Sequence, residues 1–322
     1  MTTRRHLELA RIDALDAVLG RAPAPPAPIA PPLARRLEED ARADEILRDY
    51  VLAPYPPRRD PTGGLRAVNL LIESFALAGV EDEGVRVIDR LRALLGLGRT
   101  VWGVKCADGE LGWELYVYDP GRARPEAQVD AIVGALADVI PPVDRRAAPP
   151  RIDHHMVSLQ LDARVLRGLA APTLTYYVHG DDEPGASRSY TLTHGGLQLA
   201  NLYTFHDPRQ DVRALLARVR SSVHLGTPAV GVAALLWPEL HRCRRICIAN
   251  KRSADGVYWS GVDTDQLAWF LGRMAWPAAL RANLDARRAR YGHLAWDVGI
   301  DVAIDRATGA AHPTRSAIYA TS

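Results

Sequence analysis

Cysteine is scarce in this sequence of 322 residues, and so is any surplus of charge. Three cysteines, Cys106, Cys243 and Cys247, are too few for the disulfide framework of a small secreted domain. The formal net charge of +2 excludes an overall field that attracts nucleic acid or a membrane surface. The sequence also contains no long apolar run and no secretory leader. We therefore expect a cytoplasmic protein without nucleic-acid or membrane partners, and we expect it to be a monomer.

Several common catalytic motifs are missing as well. GxxxxGK[ST], GxGxxG, GxSxG and HExxH do not occur, which counts against P-loop, dinucleotide-binding, serine-hydrolase and zincin chemistry. A DDxxD box is absent too, since Asp181-Asp182 is followed by EPG in a predicted turn. His241-x-Cys243-x3-Cys247 lacks a fourth ligand at finger-like spacing. We therefore predict no structural metal site.

The first 98 residues have a predominantly helical pattern. Apolar residues recur at helical spacing in four segments: 4–19, 33–51, 65–78 and 85–95. The proline run RAPAPPAPIAPP (21–32) interrupts them and can only be extended or turn-like. We expect residues 1–98 to form a helical region, with 21–32 as a linker, that packs on the remaining chain (99–322) in one compact domain.

After Gly98 the apolar period changes from 3.6 to 2, which predicts strands. About ten strands follow, mostly as hairpins with helices between successive pairs: TVWGVKCA, GWELYVYDP, HMVSLQLD, TLTYYVHG, SRSYTLT, LQLANLYTFH, RRICIANKR, GVYWSGVD, WDVGIDVAID and TRSAIYATS. Hairpins make neighbouring strands antiparallel, and a large antiparallel sheet removes its edges most completely by closing on itself. We predict an α+β fold in which a closed antiparallel β-barrel is surrounded by α-helices.

The polar faces of these strands indicate what the barrel encloses. In WDVGIDVAID (296–305), apolar residues alternate strictly with a face that carries three aspartates. Similar polar faces recur in the other strands, and they are rich in tyrosine and poor in the Lys and Glu mixture of a solvated surface. This pattern favours a polar cavity inside the barrel. An open sheet with one solvated face gives the same alternation and stays the alternative.

This combination of hairpins, intervening helices and a tyrosine-rich lumen resembles the prenyltransferase barrel of the ABBA family, the aromatic and peptide prenyltransferases. The resemblance is carried by GWELYVYDP, GLQLANLYTF, NKRSADGVYWSGVD and PTRSAIYATS, and it covers roughly the last two thirds of the chain. One departure is HGDDEPGA (179–186), which is too short for the helix pair that the family usually places between strand pairs.

The resemblance implies an enzyme that transfers a dimethylallyl or geranyl group from its diphosphate to an aromatic small molecule or a peptide side chain. Family members hold the diphosphate with Lys and Arg, which on this sequence would be Lys105, Arg188, Lys251 and Arg315. They surround the allylic cation with tyrosines, because aromatic faces stabilise it and exclude water. The corresponding residues here would be Tyr116, Tyr118, Tyr177, Tyr203, Tyr258 and Tyr319.

A carboxylate must then accept the proton of the attacking acceptor. Glu114 is the first candidate because it shares a face with Tyr116, and Asp301 and Asp297 are the alternatives. Two acidic positions on one lumen face would equally suit a cationic acceptor, or Mg²⁺ beside the diphosphate. Two rival functions stay open: a non-catalytic barrel that binds a hydrophobic small molecule or peptide, and an open α+β sheet that acts as an interaction module.

Overall fold

A computed structural model describes residues 38–180, 186–222, 235–252, 254–305 and 308–321. It contains the strands β1 (Thr100–Ala107), β2 (Glu110–Tyr118), β3 (Met156–Leu161), β4 (Thr173–His179), β5 (Ser187–Thr193), β6 (Gly196–His206), β7 (Arg245–Lys251), β8 (Asp255–Val262), β9 (Trp296–Ile304) and β10 (Ala311–Thr321). Each strand pairs with its neighbours in the sequence, every pair is antiparallel, and β10 closes on β1. The predicted ten-stranded barrel is confirmed, and the open sheet is wrong.

Among the described residues, two helices precede β1, one short helix connects β3 with β4, and four lie in the connections between hairpins. They are α1 (Val68–Leu77), α2 (Glu81–Leu95), α3 (Val129–Leu136), α4 (Ala163–Leu166), α5 (Val212–Arg220), α6 (Thr264–Arg273) and α7 (Ala278–Arg287). Asp263 begins α6 with a capping box, because its side chain accepts a hydrogen bond from the Gln266 amide while the Gln266 side chain accepts one from the Asp263 amide. None of the helices in the described residues is long and apolar enough to cross a membrane.

The hydrophobic core lies between these helices and the outer face of the barrel. Trp113 of β2 is fully buried, contacts Phe75 of α1 with ring centroids 4.8 Å apart, and donates a hydrogen bond of 2.8 Å from its indole nitrogen to Ser74. Trp296 of β9 donates in the same way to Thr264 of α6, at 3.1 Å. Because the apolar faces of the strands are used on the outside, the barrel interior is left to the polar faces.

Residues 38–51 contradict the helix predicted over 33–51. They form isolated β-bridges and turns instead. Asp49 accepts hydrogen bonds from the amides of Val51 and Ala53 through the same carboxylate oxygen, at 3.1 and 3.0 Å, which replaces helical bonding by a local turn. Leu52 adopts a left-handed backbone with φ of 61°. The helix predicted over 4–19 and the proline run at 21–32 lie outside the described residues.

Candidate functional site

The strand register brings five tyrosines together inside the barrel. Tyr203, Tyr177, Tyr116, Tyr319 and Tyr258 follow one another around the wall, with ring centroids 6.0 Å, 6.1 Å, 6.0 Å and 6.1 Å apart. We call these five residues the tyrosine belt. All five are members of the shield predicted from the sequence.

Glycines on neighbouring strands let the rings lie against the barrel wall. A Cβ atom at Gly299 would be 2.1 Å from the ring of Tyr258, and one at Gly103 would be 2.7 Å from the ring of Tyr319. Such distances are shorter than any van der Waals contact. The belt therefore depends on the absence of side chains at these two positions.

Charged residues form a second level on one side of the belt. Lys105 pairs with Glu114, and Lys251 pairs with Asp301. The guanidinium Nε of Arg315 lies 3.6 Å from a carboxylate oxygen of Asp301. We call these five residues the ion layer. Three cations face two carboxylates, so the layer carries an excess of one positive charge.

Glu114 is the most completely engaged carboxylate of the layer. It also accepts hydrogen bonds from the hydroxyls of Ser158 and Tyr177, the latter at 3.3 Å. Burial alone would raise its pKa, but the Lys105 ammonium and these donors outweigh burial and hold the pKa of Glu114 below its ordinary value. At Lys251 burial prevails over the attraction of Asp301, and the pKa of this ammonium is lowered.

Little space is available next to these charges. A cavity of about 30 Å³ touches the three cations of the ion layer and the rings of Tyr258 and Tyr319. A cavity measured in this way needs about 10–15 Å³ to hold one water molecule, so this one has room for about two. A diphosphate would therefore have to displace the carboxylates from their lysines in order to contact the cations.

A larger cavity of about 290 Å³ lies on the other side of the belt. Along β9 the order is Asp301 in the ion layer, Gly299 under the belt, and Asp297 in this cavity. The belt tyrosines form the cavity floor, and its further walls include Tyr50, Tyr118, His155, His179, Phe205, Arg245 and Cys247. We call this cavity the mouth chamber.

Asp297 differs from the other two lumen carboxylates in its partners. Its carboxylate accepts a 2.8 Å hydrogen bond from the amide of Gly261 and another from the Ser260 hydroxyl. Among the described residues it forms no ion pair with a lysine or arginine, whereas Glu114 and Asp301 both do. Burial raises the pKa of Asp297 to about 6.

Two predicted site residues are placed apart from the others. Arg188 stands opposite Val178 and Leu202, on the outer face of the sheet, while its neighbour Ser187 lines the mouth chamber. The expectation that four cations converge is therefore wrong, and three do. Tyr118 lies outside the belt, in edge contact with His155 at 5.9 Å.

Other lumen residues were missed by sequence reasoning. Arg245 and Cys247 share their face of β7 with Lys251, so strand alternation alone would have identified both. His155 precedes β3 and stacks on His179 with ring centroids 4.2 Å apart, a contact that requires knowledge of the pairing of β3 with β4. Tyr50 lies in the segment predicted to be a helix (33–51), so the sequence pattern did not indicate that it lines the mouth chamber.

No known family model matches this sequence, and no curated protein is detectably similar to it. Within the described part of the chain, no three histidine, cysteine or carboxylate side chains converge on a point where a metal ion would be held.

Proposed function

We propose that this protein transfers a dimethylallyl or geranyl group from its diphosphate to an aromatic small molecule or a peptide side chain. The observation that supports this proposal most directly is the tyrosine belt next to three convergent cations inside a closed antiparallel barrel. Departure of a diphosphate concentrates negative charge, and fixed cations in a buried cavity lower the barrier to it. The adjacent aromatic rings then shield the allylic cation from water.

In this proposal Lys105, Lys251 and Arg315 hold the diphosphate. Each now contacts a carboxylate. Diphosphate oxygens would replace the carboxylates, because a multiply charged anion attracts the ammonium groups more strongly than one carboxylate does. The excess positive charge of the ion layer supports this exchange.

We assign the general base to Asp297 rather than to Glu114, the first candidate from the sequence. The lowered pKa of Glu114 makes it a weak base, and Asp301 is shared between Lys251 and Arg315. Asp297 lies in the only one of the two cavities with room for an acceptor, and its pKa of about 6 suits proton transfer near neutral pH. Glu114 would then hold Lys105 in position until the diphosphate binds.

Mg²⁺ bound directly by the protein does not fit the ion layer. Its two carboxylates, Glu114 and Asp301, already accept from lysines, and a third acidic ligand is absent among the described residues. Mg²⁺ prefers several oxygen ligands in octahedral geometry. Direct coordination of Mg²⁺ by these residues is therefore not part of the proposed reaction.

Isothermal titration calorimetry with dimethylallyl diphosphate and with geranyl diphosphate tests the donor site. We expect saturable binding that Lys251→Gln weakens about tenfold or more through loss of a charge-assisted contact. Arg188→Gln, on the outer face, is the matched control and should bind normally.

Asp297→Asn should retain donor affinity and lose product formation with a panel of phenols, indoles and tyrosine-containing peptides. Failure of both donors to bind, with and without Mg²⁺, would overturn the proposal.

The alternative function is a non-catalytic barrel that binds a hydrophobic small molecule or peptide. It is favoured by one observation, the contrast between about 30 Å³ at the cations and about 290 Å³ in the aromatic mouth chamber. Saturable binding of aromatic ligands together with no binding of either diphosphate would select this alternative.

A further inference from the structure

Arg245 is a lumen cation to which neither the ion layer nor the tyrosine belt gives a role. The register places it on β7 opposite Ser260 of β8, which in turn lies opposite Asp297 of β9. All three side chains line the mouth chamber. Arg245 is also solvent-exposed, so it stands where a ligand enters.

The part of the chain that the structure describes does not neutralise the charge of Arg245. Lys105, Lys251 and Arg315 each contact a carboxylate, but no carboxylate among the described residues forms an ion pair with Arg245. Its interaction partner is the hydroxyl of Tyr50. The neighbouring Arg244 is engaged elsewhere, at 3.6 Å from Asp49 and over the ring of Tyr55. Arg245 is thus the cation that an incoming anion would meet.

Asp297 does not take that role, because no ion pair joins its carboxylate to Arg245 among the described residues. Arg245 and Asp297 are separated by the whole of β8, and two strand spacings amount to about 10 Å. The Asp297 carboxylate is meanwhile held by the amide of Gly261 and the hydroxyl of Ser260. A second anion can therefore bind Arg245 without direct contact with Asp297.

The remaining walls of the mouth chamber suit a flat ring. Tyr50 and Phe205 are nearly parallel, with an interplanar angle of 19° and centroids 6.2 Å apart, and the belt rings form the floor. Aromatic walls favour aromatic ligands through offset and edge contacts. The volume of about 290 Å³ is at the low end for ligand pockets, which limits the ligand to one or two fused rings with a short substituent.

We propose that the mouth chamber binds a small aromatic carboxylate, with its ring against Phe205 and the belt and its carboxylate on the guanidinium of Arg245. A planar guanidinium recognises a carboxylate through paired hydrogen bonds, which explains an arginine at this position better than a general preference for positive charge. The site needs only the chamber and does not depend on prenyl transfer. If prenyl transfer is the reaction, the aromatic carboxylate is its acceptor, and Asp297 faces it.

Three indole probes of the same ring and different charge test this proposal by calorimetry: indole-3-propionate, indole and tryptamine. The wild-type protein should bind indole-3-propionate about tenfold more tightly than indole, the effect of one charge-assisted hydrogen-bonded contact, and tryptamine more weakly than indole. Arg245→Gln should remove the preference for indole-3-propionate and leave the affinity for indole unchanged. Arg242→Gln, an exposed arginine three residues away that does not line the chamber, is the matched control.

Three results would overturn the assignment. An unchanged preference in Arg245→Gln would remove the arginine from recognition, and an equal loss for all three probes would show that Arg245 supports the chamber instead of recognising the carboxylate. Competition by inorganic pyrophosphate that depends on Arg245 would assign the arginine to a diphosphate. Probe binding without binding of either prenyl diphosphate would refute prenyl transfer and leave the aromatic carboxylate site intact.

Discussion

At the scale of single residues, the same lumen face holds carboxylates with opposite properties. Glu114 and Asp297 are both buried and both point into the barrel. The cation beside Glu114 lowers its pKa, whereas burial without a paired cation raises that of Asp297. Strand alternation predicts the face of each residue but not its partners, because the partners come from other strands. Alternation therefore places all three candidate carboxylates on lumen faces, while their order as general bases stays a prediction.

The raised pKa of Asp297 makes stability depend on pH in a defined direction. Its folded-state pKa is about 6 against an ordinary 3.8, so the folded protein binds this proton more tightly than the unfolded chain does. The stabilisation is complete below about pH 4 and is lost as the pH rises through about 6. Asp297→Asn, which is neutral throughout and retains an acceptor for Gly261, should therefore match the wild type near pH 4 and exceed its free energy of unfolding by about 3 kcal/mol at pH 8.

Urea denaturation at pH 4.5, 6 and 8 measures this difference. Asp153→Asn is the control substitution, because Asp153 is 95% exposed and does not line the mouth chamber. A constant difference between Asp297→Asn and the wild type across the three pH values would contradict the assigned titration.

At the scale of elements, strands were predicted well where one face was clearly apolar and poorly where it was not. β9 alternates Val298, Ile300 and Val302 with its lumen face, and its orientation is as predicted. β5 carries hydroxyl groups on both faces, and its outer face also contains a tyrosine and an arginine. The assumption that polar residues of a strand face the barrel interior therefore placed Arg188 on the wrong face. A register shift between Ser189 and Tyr190 adds to the ambiguity. Turns made by side-chain capping, such as that at Asp49, have no periodic signal at all.

The contact between Gly299 and Tyr258 joins two strands and predicts the result of a small substitution. Gly299→Ala should destabilise the fold by about 1–3 kcal/mol, because the new methyl group overlaps the tyrosine ring. Tyr258→Ala in the same chain removes the overlap, so the double variant should be more stable than the sum of the single changes predicts. Urea midpoints of the four proteins measure this coupling.

Gly272→Ala is a matched control for the first substitution. This exposed glycine of α6 has no neighbouring atom within 4 Å of an added Cβ, and alanine should stabilise the helix by up to about 1 kcal/mol. Additive effects of Gly299→Ala and Tyr258→Ala would show that the ring does not rest on the glycine.

At the scale of the whole molecule, the barrel separates stability from chemistry. The outer face holds the buried tryptophans and the apolar residues of the helices, so the fold does not need an apolar interior. The interior can therefore contain buried ion pairs and a cavity, features that contribute little stability or reduce it. Closure is what makes this arrangement possible, because an open sheet with the same faces would expose the tyrosines and cations to water.

Closure also makes a prediction about backbone dynamics. β1 and β10 are the first and last strands of the barrel, and they pair with each other from Val101 opposite Thr321 to Cys106 opposite Ser316. In a closed barrel both strands have two neighbours, so their amides should exchange with deuterium as slowly as those of β2 and β9. Peptide-level hydrogen exchange with mass spectrometry measures this, with β2 and β9 as internal references.

In an open sheet β1 and β10 would be edges with one row of unpaired amides. Rapid exchange of about half the amides in both strands would therefore refute closure, and with it the enclosed lumen on which the proposed donor site depends.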